Sequence, residues 1–250
     1  MASLELSFSE VYNKCSEVYG TGSSPSGTDL TNAKAMVYRG YRQFLFPTDL
    51  RNGRKHTWSF LKRHLVMLTQ SGEWQYELPS NFRESPTGFQ FDSDTGYSPP
   101  KKVSPEEILK MRALGIESTY PSYYALVRTP YDQATGSNWQ VWFYGVPDGA
   151  YRLHCIYIIN PDKPSATTDV FVGGVEASEA ILESCLAITE TEGDEKQGVH
   201  SAEAAKLIQI LIQNDFTDVP DSVGKMLDPG VYYIGGGRVL QKLTSEDVYN

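Results

Sequence analysis

The apolar residues of this chain change period twice, from helical to strand-like and back, and few architectures satisfy that order. Phe8, Val11, Tyr12, Cys15, Val18 and Tyr19 recur at three- and four-residue steps. That stripe predicts an amphipathic helix over 7–19, ended by Gly20. The stretch 21–27, rich in Gly, Ser and Pro, leads to a second stripe: Leu30, Ala33, Val37, Tyr41 and Phe44. A helix over 28–46 is expected, with Thr28 or Asp29 as its cap and Pro47 as its stop. Helical period returns after Gly174, as Ala177, Ala180, Ile181, Cys185 and Ile188, then Ala204, Leu207, Ile208, Leu211 and Ile212. These predict helices over 177–191 and 202–214, joined by a turn at Glu192-Gly193-Asp194.

Between the helical ends the period falls to two. Trp58–Leu61 and His64–Thr69 read as strand, Gln70–Glu73 as a turn, and Trp74, Tyr76 and Leu78 as the return strand of a hairpin. A short strand is expected at Phe89–Phe91, and three longer ones at Tyr123–Arg128, Trp139–Tyr144 and Tyr151–Ile159. Ser104-Pro105-Glu106-Glu107 is a capping box that opens a short helix ending near Ala113, before Gly115. The fold class is therefore α+β: a helical bundle from the N- and C-terminal helices with an inserted antiparallel β-domain and an extended C-terminal arm. The corresponding boundaries are 1–57 and 175–215 for the bundle, 58–174 for the β-domain and 216–250 for the arm.

Composition excludes several function classes. A chain of 250 residues with 40% hydrophobic and 21% charged residues can bury a core without a metal or disulfide staple. Its net charge of -9 argues against a protein that packs nucleic acid on a basic face. Residues 1–6 show neither a basic nor an apolar leader segment, and no apolar run approaches the roughly 20 residues of a membrane span. Three cysteines, Cys15, Cys155 and Cys185, never stand in C-x-x-C spacing, so neither a disulfide framework nor a zinc ribbon is expected. Synthesis in a reducing cytosol and no membrane partner are the corresponding expectations.

No catalytic or cofactor motif emerges. Gly22–Thr28 has the spacing of a phosphate-binding loop but lacks its Lys and follows a helix, so it reads as a connector. Gly235-Gly236-Gly237 has no flanking strand–helix context and reads as loop. His56, His64, His154 and His200 are scattered and lack metal-ligand spacing. His154, in a strand, reads as a core or strand-face residue. Glu106 and Glu107 are adjacent and do not share a helix face, so capping explains them better than acid–base chemistry. The expectation is a chain without enzymatic activity and without cofactor or metal.

Charge placement is more informative. Arg51, Arg54, Lys55, Lys62 and Arg63 lie in a stretch with no acid. Glu176, Glu179, Glu183, Glu190, Glu192, Asp194 and Glu195 lie in a stretch with no base. Either run alone could be a solvated face. Together, patches of opposite sign on one chain suit a head-to-tail contact between copies, the kind of interface that closes rings.

Several segments in this order resemble a known family. They are Trp58-Ser59-Phe60-Leu61, Tyr76-Glu77-Leu78-Pro79-Ser80-Asn81-Phe82, Pro121-Ser122-Tyr123-Tyr124-Ala125-Leu126 and the stretch Trp139–Asp148. Ile181–Ala187 and Gly198-Val199-His200, before the last helix and Asp215, extend the match, which covers about residues 5–217. The chain resembles the head-to-tail adaptor, or connector, proteins of tailed bacteriophages. The resemblance implies a structural virion protein at the neck and a homo-oligomeric ring, dodecameric in that family. It also implies a portal protein above, a tail or nozzle protein below, and double-stranded DNA passing without specific binding. The acidic balance agrees, because acidic walls repel phosphate.

The tail beyond Asp215 aligns with no part of that pattern. It carries Val231, Tyr232, Tyr233, Ile234, Val239, Leu240, Leu243, Val248 and Tyr249, too apolar for a solvating tail. Pro220, Pro229 and the triple glycine deny it a regular core of its own. It is expected to be coil and to act as a docking arm on the portal, a neighbouring subunit or the tail component; the alternative is that it folds back on its own bundle. The rival from another class is a carbohydrate- or receptor-binding β-module of a virion or cell surface. Trp74, Tyr123, Trp139 and Trp142 would then form its stacking platform.

Overall fold

The computed structural model describes residues 4–92, 96–115, 118–133, 136–194, 198–218, 231–234 and 238–241. Helix α1 (Phe8–Tyr19) starts at Ser7, whose hydroxyl accepts the Glu10 N–H while the Glu10 carboxylate accepts the Ser7 N–H at 2.7 Å. The Ser7 hydroxyl, and then the Ser7 N–H, donate to the Glu10 carboxylate and hold it below its ordinary pKa. Gly20 closes the helix at φ 87°. Phe8, Val11, Tyr12 and Cys15 are buried as the stripe predicts, but Val18 and Tyr19 are exposed in the last turn.

Helix α2 (Gly27–Leu45) starts one residue before the expected range. Its cap position is Ser26, not Thr28 or Asp29, and no side chain satisfies its first N–H groups. After it come β1 (Thr48–Asp49) and β2 (Arg54–Lys55), an antiparallel pair. Trp58–Leu61 is not a strand. Ser59–Leu61 forms a single 3-10 turn, and the strand β3 begins after it at Lys62–Leu68.

The central region contains β4 (Gln75–Glu77), β5 (Phe82–Glu84), β6 (Gln90–Phe91) and β7 (Lys101–Lys102). Helix α3 (Pro105–Ala113) and strands β8 (Tyr123–Arg128), β9 (Trp139–Tyr144) and β10 (Arg152–Ile159) follow. The expected β3–β4 hairpin does not form. β10 pairs with β3 on one edge and with β5 and β6 on the other, whereas β4 belongs to a second sheet ordered β4-β9-β8-β7. The turn at 70–73 is present, with Glu73 N–H on the Gln70 carbonyl at 3.2 Å, but it carries the chain between sheets. Thr69 N–H binds the Tyr151 carbonyl and Gly72 N–H binds the Pro147 carbonyl, each at 3.0 Å. These bonds anchor the crossing to the β9–β10 connection. The β7–β8 pair is parallel, so the strands are not uniformly antiparallel.

Ser104 caps α3, which buries Ile108 against Ala125 and Tyr144 on one face of the second sheet. Tyr124, Val141 and Phe143 point from the other face into the main core. That core is continuous from Phe8 of α1 through Phe44 and Trp58 to Leu153 and Tyr157 of β10.

Helix α4 (Gly174–Asp194) and helix α5 (Val199–Asp218) are each longer than expected. The predicted Glu192–Asp194 turn lies inside the last turn of α4. α4 packs on α1, α2 and α5, and it therefore buries more than one stripe. Its buried residues are mostly small: Ala177, Ala180, Ser184, Cys185, Ala187 and Thr189. Ser184 donates to the Ala180 carbonyl at 2.6 Å and Thr189 to the Cys185 carbonyl at 3.0 Å, so both buried hydroxyls are satisfied. α2 approaches so closely that a Cβ on Gly40 would stand 2.4 Å from the Cys185 Cα.

The fold is mixed α+β. Gly40→Ala should destabilise it by about 1–3 kcal/mol through overpacking. The melting temperature should fall by roughly 2–4 °C for each kcal/mol. Gly149, with nothing within 4 Å of an added Cβ, should accept Ala within about 0.5 kcal/mol. Thermal unfolding of both variants checks the contrast.

Candidate functional site

The basic run folds into two separate groups. Arg51, Arg54 and Lys55 stand exposed on the β1–β2 hairpin, and Lys62 and Arg63 on the first residues of β3. Asp49 builds the hairpin turn from inside. Its buried carboxylate accepts the Arg51 N–H at 2.9 Å and the Asn52 amide at 2.8 Å. The Arg51 backbone bond, reinforced by the Arg51 guanidinium, lowers the Asp49 pKa. Gln209 of α5 pins the hairpin by accepting the Leu50 N–H at 3.1 Å and donating to the Thr48 carbonyl at 3.0 Å. Arg51 is thus turned back onto Asp49, and Arg63 donates to the Phe60 and Lys62 carbonyls. Arg54, Lys55 and Lys62 have no ion-pair partner among the described residues.

The acidic run is divided in the same way. Glu183 meets His200 Nδ1 at 2.7 Å, Glu190 accepts the His200 N–H at 3.1 Å, and Glu192 pairs with Arg39 of α2. These three carboxylates fasten α4 to its neighbours. Glu176 and Glu179, on the first turns of α4, are exposed and have no ion-pair partner among the described residues. Glu195 lies outside the described residues.

The tail is not all coil. α5 continues past Asp215 to Asp218, and β11 (Val231–Ile234) pairs antiparallel with β12 (Arg238–Gln241). Tyr232 stands opposite Leu240 and Tyr233 opposite Val239. Gly235-Gly236-Gly237 and Leu243 lie outside the described residues.

The aromatic platform of the rival reading is already covered. The Arg112 guanidinium lies 3.9 Å from the Trp74 ring centre, and that of Arg128 lies 4.3 Å from the Trp139 ring centre. Trp142 packs edge-on against Trp74. A sugar ring stacking here would first have to displace an arginine.

The histidines are each engaged. His64 and His154 stack across β3 and β10 with Nε2 and Nδ1 3.0 Å apart, which matches the strand-face reading of His154. Among the described residues no three His, Cys, Asp or Glu side chains gather as a metal site, and no helix is long and apolar enough to cross a membrane. Buried thiols are held protonated. Burial pushes Cys15 and Cys155 up to about 11 and Cys185 well above its ordinary value.

One cluster carries no sequence signal. Asp215 accepts the Ser59 N–H at 3.1 Å, the Ser59 hydroxyl, and a bond from His56 Nε2 at 2.7 Å. In a nucleophilic triad the imidazole stands between hydroxyl and carboxylate. Here the carboxylate stands between the other two, which suits a clamp and not proton relay. It ties α5 to the segment entering β3, beside a cleft of about 180 Å³ lined by Trp58, Phe60, Glu176 and Leu211. Only the 156-residue separation from Ser59 hides it from a reading of the sequence.

Comparison with protein-family models and with curated proteins yields no match.

Asp215→Ala should remove the acceptor that the Ser59 N–H and hydroxyl and the His56 ring share and cost about 2–4 kcal/mol. A urea titration should show a lower midpoint with an unchanged slope.

Proposed function

We propose that this chain is a structural, ring-forming adaptor at the head-to-tail junction of a tailed bacteriophage. In this reading it joins the portal to the tail and lines the DNA channel. Helices drawn from 1–57 and 175–215 act as a bundle, 58–174 as the inserted β-domain, and 216–250 as the docking arm. The observation that carries the proposal is the pair of unneutralised patches on anchored elements. Arg54, Lys55 and Lys62 stand on a hairpin pinned by Gln209 and at the start of β3, and Glu176 and Glu179 stand on the first turns of α4. Charges held on anchored elements need little ordering when they meet a partner, and opposite signs on one chain support a repeating contact between copies. The net charge of -9 fits a channel that DNA slides through without sticking. The arginine-covered tryptophans count against the carbohydrate- or receptor-binding reading.

Reversing Arg54 and Lys55 to Glu should abolish assembly at low salt. The difference from wild type should shrink at high salt, where the screening length falls to about 3 Å at 1 M. Mixing this variant with a Glu176→Lys, Glu179→Lys chain should restore contacts between the two. Negative-stain images of the chain, alone and with a portal, provide the readout. Rings support the adaptor, and compact monomers that ignore the portal overturn it.

A further inference from the structure

Strand β3 is a seven-residue edge that, among the described residues, pairs only with β10. The ladder shows which of its backbone groups are free. Asp92 N–H binds the Arg152 carbonyl, and the Thr87 and Ser85 hydroxyls bind the Ile156 N–H and carbonyl. The even-numbered residues of β10 therefore turn their backbone away from β3. Their register partners Lys62, His64, Val66 and Leu68 turn theirs to the open side. The Lys62 carbonyl is taken by Arg63, which leaves those of His64, Val66 and Leu68. Val66 and Leu68 are also 48% and 56% exposed. An open seven-residue edge whose second half is apolar and exposed is a template for another strand.

A second unfinished edge lies in the tail. Among the described residues β11 and β12 pair only with each other, and an isolated two-stranded hairpin is marginal in water. The tail also starts beside β3, since Asp215 holds Ser59, just before Lys62. Residues 219–230 between α5 and β11 span up to roughly 40 Å when extended, enough to reach β3 in the same copy or in one that abuts it. Among the described residues of the single chain no strand takes that nearby edge.

We propose that the β11–β12 hairpin adds to the open edge of β3 in a second copy of this chain. The contact is head-to-tail and β-augmenting: backbone bonds supply affinity, and alternate side chains of the tail supply specificity. Lys62 at the start of the edge complements in charge the acids Asp218, Asp221 and Asp228 that precede the hairpin in sequence. This rests on the docking-arm reading above and names the arm's partner.

Two variants test it by sedimentation velocity of the full chain. Val66→Pro removes an N–H that no bond within the chain uses, so the β3–β10 ladder stays complete. Val66→Lys blocks the edge by charge and reads the same site if proline unfolds the strand. The second variant replaces 231–241 with a Gly-Ser stretch of equal length. Wild type should self-associate, and each variant alone should sediment as a monomer with a near-native melting temperature. An equimolar mixture of the two should recover a heterodimer and nothing larger, because one intact hairpin meets one intact edge. A monomeric wild type, a variant that still self-associates, or a mixture that stays monomeric overturns the exchange. If only the edge variants lose association, β3 pairs with β3 and the tail is not the occupant. Portal binding is scored separately on wild type: its loss overturns the adaptor reading alone, and its presence with unaffected edge variants overturns this inference alone.

Discussion

Helices from opposite ends of the chain meet at Gly40 and Cys185 with no room for a methyl group between them. That approach lets the Cys185 thiol reach the Val37 carbonyl at 3.6 Å and places Tyr41 against Phe171 with ring centres 5.0 Å apart. It also sets the position of Phe44, which stacks on Trp58 while its carbonyl accepts the indole N–H at 2.9 Å. From Trp58 the chain enters β3, and β3 aligns β10. A glycine in a helix interior costs about 1 kcal/mol in propensity. Here the loss is offset by packing that no other residue permits. The small buried side chains of α4 extend the same logic, since a helix clasped by three others must be thin on every side.

The elements that were legible in the sequence are those whose signals are local. The apolar stripe from Phe8 and the stop at Gly20 mark α1, and the aromatic-rich apolar runs 123–128 and 139–144 mark β8 and β9 at their observed bounds. Pairing was not legible. Trp74, Tyr76 and Leu78 alternate as a hairpin's second strand should, yet alternation states only that one face is buried. The strand that takes β3 instead, β10, lies some 90 residues away, as the His64–His154 contact shows. Gly193 resembles a stop, yet α4 runs through it to Asp194. The coil reading of the tail failed for the opposite reason. Glycines and prolines were taken to exclude order, although a triple glycine between two apolar runs is also what a hairpin needs.

The charge runs show how far a one-dimensional reading reaches. Both were visible in the sequence, but folding consumes part of each. Glu183, Glu190 and Glu192 are fastening points between helices, and Arg51 and Arg63 satisfy their own turns. What remains among the described side chains is smaller and sharper: two basic residues on a hairpin, one at the head of β3, and two acids at the head of α4. Asp215 is the reverse case. It was one acid among many in the sequence, and it becomes the residue that joins α5 to the main core's entry into β3.

Cys15, Cys155 and Cys185 are all sealed in the interior with their thiols held in the protonated form. Thiolate is the species that oxidants and disulfides attack, and it needs access as well as charge. The folded chain therefore carries no chemical record of the redox conditions around it. Many copies can be crowded together, in air or in a reductant, without covalent cross-links forming between them.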